Sequence, residues 1–223
     1  MTKIVPTYEG KGGNYFGGAR KLFVDLLPPN PAARLLEIGC GNGDTSAYAR
    51  STGKCGWCCG VELCEGPAAE ARAKLDQVLV GDVEKVLLPA TNGGFDVLIL
   101  SEVLEHLIDP WKALARLRPL MNPGAIVLSG SPNVCYYGVL FTLIKGRWRY
   151  EDKGVFDATH LRWFSPATYR ELFESAGFEV DFVRAADPIG KKGWLGNVLT
   201  LGRMPYLFHE QIFLKGRCLK REA

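Results

Sequence analysis

The stretch Leu35-Leu36-Glu37-Ile38-Gly39-Cys40-Gly41-Asn42-Gly43-Asp44 decides the fold. A short apolar run carries one acid near its end, three glycines alternate with other residues, and a helical pattern follows. This order reads as a buried strand, a tight turn and a helix N-terminus. Glycine takes positive φ and has no Cβ, so the backbone can pass close against a ligand. In an open α/β sheet, such a turn at the carboxyl end of the first strand is where nucleotide-like ligands bind. The spacing is Gly-x-Gly-x-Gly, not the Gly-x-Gly-x-x-Gly of dinucleotide sites, whose glycines and helix N-terminus hold a pyrophosphate. Glu37 puts a carboxylate beside the turn. That suits an ammonium or sulfonium ligand and repels a phosphate.

Outward from this turn the pattern alternates. Helix 45–51 leads to strand 56–63, which ends with Glu62. Helix 67–75, rich in strong helix formers, precedes a short strand at 78–80, then Asp82 and a short helix over 83–88. Phe95-Asp96-Val97-Leu98-Ile99-Leu100 is the near-continuous apolar run of a central parallel strand. It runs into Ser101-Glu102-Val103-Leu104-Glu105-His106-Leu107, where Glu102 and His106, four apart, would share a helical face. Helix 109–117 and strand 125–129 complete five β-α repeats, which implies a parallel doubly wound sheet.

Upstream, 10–14 is glycine-rich and loose, and a helix runs from Tyr15-Phe16 to Leu27 until Pro28-Pro29-Asn30-Pro31 ends it. Downstream of Pro132-Asn133 the alternation breaks. An apolar helix at 136–144 is followed by the aromatic, basic run Gly146-Arg147-Trp148-Arg149-Tyr150 and by Asp157-Ala158-Thr159-His160-Leu161-Arg162-Trp163-Phe164. An insertion this dense in aromatic and charged groups, at the carboxyl edge of a sheet, is the composition of a substrate cover. The alternative is a flap whose aromatics pack on the sheet. Arg147 and Arg149 either meet an anionic substrate or are solvated. A helix capped by Ser165-Pro166, a strand at 178–183, a loose stretch at 190–196 and a last strand over 205–214 follow. That strand is antiparallel, at the edge or inserted beside it. The expected fold is α/β: a Rossmann-like, doubly wound, mostly parallel seven-stranded sheet with helices on both faces and an insertion covering the active site. One domain spans 1–223, with an N-terminal helical segment (1–31), a cofactor-binding core (32–131), the cover (132–164) and a C-terminal helix with strands (165–223).

Composition narrows the function. The chain has 223 residues, 47% hydrophobic and 23% charged, with a net charge of +3. That is average for a globular protein and short of the basic footprint of a nucleic-acid binder. The N-terminus shows no apolar signal region, and no apolar run approaches the ~20 residues of a membrane span. A cytoplasmic protein is expected. Seven cysteines, an odd number, argue for reduced thiols. Cys55-x-x-Cys58-Cys59 with Cys64 lacks a second ligand pair at zinc-finger spacing, so these residues are read as buried small hydrophobes. One histidine with two acids at 102–106 does not complete a two-histidine zinc helix. No metal site is assigned.

With Glu37 to Gly43, Glu62 at the end of the second strand, Asp82 after the third and 95–110 in hand, the sequence resembles the class I S-adenosylmethionine-dependent methyltransferases. The segments Ser131-Pro132-Asn133, Gly146-Arg147-Trp148 and Thr159-His160-Leu161-Arg162 resemble a bacterial subgroup linked to glycan and natural-product tailoring. Ser131 departs from the aliphatic residue that many similar sequences carry there. The resemblance implies S-adenosyl-L-methionine as cofactor, its methionine part over Gly39, Cys40, Gly41 and Gly43 with Glu37 nearby. Glu62 and Leu63 then serve the ribose, which agrees with an acid roughly 20 residues past the glycine turn. Asp82 and Val83 serve the adenine, although Asp82 also suits a helix N-cap. Ser101 and Glu102 face cofactor or substrate, and Tyr15 begins a helix that folds over the cofactor. The implied reaction is methyl transfer to a small molecule or sugar/glycan precursor, chiefly at oxygen. His160 is the candidate general base with Asp157 orienting it, and His106 is second; alternatively His160 braces the insertion. A non-catalytic S-adenosylmethionine-binding module and an NAD(P)-dependent oxidoreductase are the other readings. Acceptor identity and oligomeric state are not encoded in any motif.

Overall fold

The computed structural model describes residues 16–89, 93–185, 197–198 and 200–220. Tyr15, the glycine-rich 10–14 and the 190–196 stretch lie outside the described residues.

Seven strands form one sheet in the order β3-β2-β1-β4-β5-β7-β6. They are β1 (Arg34–Ile38), β2 (Trp57–Glu62), β3 (Gln77–Val80), β4 (Phe95–Ser101), β5 (Met121–Pro132), β6 (Phe178–Ala185) and β7 (Gln211–Cys218). β1 to β5 pair in parallel, and β7 pairs antiparallel with both β5 and β6. The last strand is therefore inserted rather than at the edge, and it runs over 211–218 rather than 205–214, because Pro205–Phe208 coil into a 3-10 turn before it. Strand order reverses around β1 and β4, and in doubly wound sheets ligands bind at this switch point.

The helices are α1 (Lys21–Val24), α2 (Asp44–Ser51), α3 (Glu65–Ala71), α4 (Pro110–Leu117), α5 (Tyr137–Ile144) and α6 (Pro166–Ser175). Two apolar layers flank the sheet. Phe23 and Val24 of α1, Ala49 of α2 and Ala71 of α3 pack on one face with Leu35, Val97 and Phe213. Leu114 and Leu117 of α4 and Tyr169 and Phe173 of α6 pack on the other with Leu36, Leu98 and Leu214. Alternation along the strands causes this split. It also separates the thiols: Cys58 joins the first layer with Cys55, whereas Cys59 faces the second. A four-thiol site cannot form across a sheet, and Cys55, Cys58 and Cys59 are buried.

Three sequence expectations need correction. Of the helix expected over 15–27, the described residues keep Phe16 and α1 in helical form, with Gly17-Gly18, Gly18 at φ +95°, interrupting between them. No helix forms over 83–88. The Val86 amide bonds back to the Asp82 carbonyl while the Asp82 carboxylate caps the Glu84 amide at 2.8 Å, closing a turn. Glu102 and His106 share no helical face either, since Glu102 lies at φ +57° and only Leu104–His106 form a single 3-10 turn.

α6 begins with a full capping box. The Ser165 hydroxyl accepts from the Thr168 amide, and the Thr168 hydroxyl accepts from the Ser165 amide, satisfying two of the orphan groups of a helix start. Its Tyr169 hydroxyl meets the Ser129 hydroxyl at 2.6 Å, fixing α6 to β5.

Candidate active site

A cavity of about 920 Å³ opens at the carboxyl ends of β1 to β4. Ligand sites run to roughly 300–1,000 Å³, so its size is that of a small-molecule site.

Its floor begins at the β1–α2 turn. Gly39 and Gly41 have φ of +67° and +52°. A Cβ on Gly39 would meet Val103 Cγ2 at 2.6 Å, and one on Gly41 would strike the Phe16 carbonyl oxygen. Residues 16–20 lie over the turn: the Asn42 amide donates to Phe16 O at 3.1 Å, Gly18 N to Asp44 Oδ2 at 2.9 Å, and Arg20 N to Thr45 Oγ1 at 3.3 Å. Gly43 is different. It caps α2, and its Cα faces Ala71 and Leu75, not the cavity. The Cys40 thiol also turns into the core, where a side chain on Gly60 would meet its sulfur. Burial, with Glu37 and Glu62 nearby, pushes that thiol far up and keeps it protonated.

Two buried acids border this turn. Glu37, 3% exposed, accepts through Oε2 from the Ser46 hydroxyl at 2.5 Å and the Ser46 amide at 3.2 Å. Burial raises its pKa to about 7 against the pull of Ser46, Thr45 and Arg20. Glu62 accepts from the Gly41 amide at 2.8 Å and the Cys64 amide at 3.0 Å, tying the ends of β1 and β2 together. Leu63, Asp82 and Val83 continue the same wall.

The opposite wall comes from the end of β4 and from the insertion. Ser101, Glu102 and His106 line it, facing Asp157 and His160. Glu102 Oε1 accepts from Gln211 Nε2 at 2.8 Å. Asp157 Oδ1 accepts from the Thr159 amide and hydroxyl at 2.9 and 2.7 Å. The two histidine rings meet edge-on with centroids 4.7 Å apart. His106 Nδ1 lies 3.3 Å from the Thr159 carbonyl and 3.1 Å from its hydroxyl; His160 Nδ1 lies 3.2 Å from the Val155 carbonyl. A ring nitrogen facing a carbonyl is the donor of the pair, so each Nδ1 is placed to donate to its backbone carbonyl.

Of the cofactor and catalytic candidates, all but Gly43 and the undescribed Tyr15 line this cavity. Arg147 and Arg149 are exposed and outside it, and Trp148 packs edge-on against Phe156 and Trp163. Sequence reasoning passed over Arg20, Asp152 and Lys153 on the rim, because nothing local brings those segments back to the sheet. Glu105, 1% exposed, entered that reasoning only as one of the two acids beside His106 and was given no role. The signal for that residue was an acid between Leu104 and His106 beside a strand end.

The glycine turn, acids on successive strand ends and the switch-point cavity define a nucleoside-binding doubly wound protein. A family model described as a methyltransferase domain matches residues 13–182, and the chain belongs to that family. It is a class I methyltransferase by fold, and S-adenosylmethionine is the cofactor of that class. The residues present fit that group: a side-chain-free cradle at Gly39 and Gly41, and carboxylates at Glu37, Glu62 and Asp82. A ubiquinone biosynthesis O-methyltransferase of Dinoroseobacter shibae is 28% identical over 184 residues, 79% of this chain and 69% of that protein. An uncharacterized 37.1 kDa protein in transposon TN4556 of Streptomyces fradiae is 28% identical over 120 residues. That match covers 51% of this chain and 34% of the longer protein. The crystal structure of a SAM-dependent methyltransferase from Archaeoglobus fulgidus superposes with a TM-score of 0.65 at 20% identity, covering 95% of this chain and all of that one. Among the described residues, no helix is long and apolar enough to cross a membrane.

Proposed function

We propose that the chain transfers a methyl group from S-adenosylmethionine to a hydroxyl of a small-molecule or sugar acceptor. The observation that carries this reading is the meeting, in one cavity, of the glycine cradle and strand-end acids with two imidazoles, the buried His160 and the half-buried His106. The O-methyltransferase name of the Dinoroseobacter relative supports oxygen as the target.

The cofactor supplies a methyl group activated by its sulfonium. The chain's work is then positioning, since aligning two reactants can supply several kcal/mol of the barrier. In this reading Gly39 and Gly41 admit the methionine portion, with Glu37 countering its positive charge from below. Glu62 and Leu63 take the ribose, Asp82 and Val83 the adenine. Ser101 and Glu102 face the region between cofactor and acceptor. The insertion's Asp157 and His160 close the acceptor end. His160 Nε2 is the base that receives the hydroxyl proton, and His106 sits edge-on beside it. Imidazole is suited to this role near neutral pH.

His160→Ala is the test, read as S-adenosylhomocysteine formed with a panel of phenolic and sugar acceptors. Turnover is expected to fall on the order of 10²-fold while cofactor affinity, measured by calorimetry, holds. Unchanged turnover rejects the base assignment.

A further inference from the structure

Behind the lining of the acceptor end lies a group the methyl-transfer reading does not use. Glu105 is 1% exposed, and its carboxylate oxygens have no well-aligned hydrogen-bond partner; the buried Ser131 hydroxyl lies near them but is not aligned to bond. A buried carboxylate without aligned partners is costly, by several kcal/mol when charged. Its backbone is not loose, because the Glu105 carbonyl accepts from both Leu161 N at 2.8 Å and Arg162 N at 3.0 Å. The insertion is thereby clamped to the 3-10 turn, and His160 is brought over Glu105. One carboxylate oxygen of Glu105 and one ring nitrogen each of His106 and His160 lie within 4.8 Å of one another.

We propose that Glu105, His106 and His160 form a binding site for a divalent transition cation at the acceptor end of the cavity. Two imidazoles and one carboxylate are a recurrent set for Mn2+, Fe2+, Co2+ or Zn2+. Metal-bound histidines nearly always donate their other ring N–H to a carbonyl or carboxylate, and here both Nδ1 atoms face backbone carbonyls. Three protein ligands leave positions open toward the cavity, the arrangement of a catalytic rather than a structural site. Glu102 and Asp157 line the same wall and add negative charge. Metal–ligand bonds of about 2.0–2.2 Å require the three donors to draw closer together on binding, which side-chain rotation supplies. The inference rests on the methyl-transfer reading for its purpose. With a cation bound, a coordinated acceptor hydroxyl ionises at lower pH and releases its proton to water in the open cavity, the two imidazoles serve as ligands so that the base role of His160 belongs to the cation-free site alone, and the acceptor class narrows to oxygens able to reach a cation.

The experiment is a manganese titration of the chelator-treated full chain, followed by room-temperature electron paramagnetic resonance. Manganese avoids the thiols that would capture zinc. One equivalent is expected to bind, Glu105→Gln to weaken binding by about tenfold or more, and Cys55→Ser/Cys58→Ser to leave it intact. Circular dichroism confirms that each variant is folded. No binding up to millimolar manganese overturns the proposal, and so does unaltered binding by folded Glu105→Gln. Calorimetry with S-adenosylmethionine on the same samples separates the two ideas: manganese without cofactor affinity removes the methyltransferase reading, and cofactor without manganese removes only the cation site.

Discussion

Gly41 carries two constraints at one position. Its φ of +52° is left-handed, which costs an L-residue roughly 1–2 kcal/mol, and the space where a Cβ would stand is taken by the Phe16 carbonyl. Alanine there must push residues 16–20 off the turn. Gly41→Ala is expected to lower cofactor affinity by about tenfold or more, a loss on the order of 1.4 kcal/mol, as read by calorimetry. Gly53 is the control: its φ is +69° but open space surrounds it, so Gly53→Ala should cost stability alone. Equal affinities in the two variants would remove the contact with Phe16 from the explanation. The glycine spacing was plain in the sequence, but the reason for the second glycine was not. A backbone carbonyl arriving from twenty-five positions upstream leaves no trace in local pattern. Glu105 was hidden for a related reason. Glu102 and Glu105 look alike in sequence, and only the left-handed Glu102 and the 3-10 turn send one side chain to the cavity wall and the other beneath it.

At the scale of elements, the Pro132-Asn133 pair shows how a motif serves architecture before chemistry. Asn133 is fully buried, and its amide donates to the carbonyls of Tyr206 at 2.7 Å and His209 at 2.9 Å, while its Oδ1 accepts from Cys135 N at 3.0 Å. It ties the end of β5 to the lead-in of β7 and to the start of the insertion. Asn133→Ala strands two carbonyls, each worth about 1–3 kcal/mol when left unpaired. Urea denaturation is expected to show a loss of about 2–4 kcal/mol with the fold retained. A loss below about half a kcal/mol, within the range of ordinary surface substitutions, would mean water replaces the amide. Strand and helix order up to β5 was legible because apolar runs and capping residues alternate cleanly there. The short α1 was less so, since the apolar spacing from Phe16 to Leu27 persists through a glycine pair that breaks the helix.

Across the whole molecule, the buried acids make stability depend on pH in an unusual sense. The folded-state pKa of Glu37 is raised from 4.5 to about 7, so between those values the native state holds a proton that the unfolded chain has lost. Stability from this group is therefore complete below about pH 4.5 and declines as pH rises through 7, by about 3 kcal/mol. Comparing wild type with Glu37→Gln by denaturant unfolding at pH 5 and pH 7.5 should show wild type losing about 2 kcal/mol relative to the variant, most of that total. Parallel pH profiles would reject the assignment. Sheet composition was legible at this scale from five β-α repeats, whereas the seat of β7 was not, because antiparallel insertion depends on pairing with strands made both before and after the insertion. That seat has a consequence for biogenesis. β5 and β6 are synthesised before β7 yet never touch as neighbours in the finished sheet; each must hold an open edge until Gln211–Cys218 emerges to fill the slot between them. A nascent chain paused short of that point presents two sticky margins to the cell, and a holdase that shields them suits this topology.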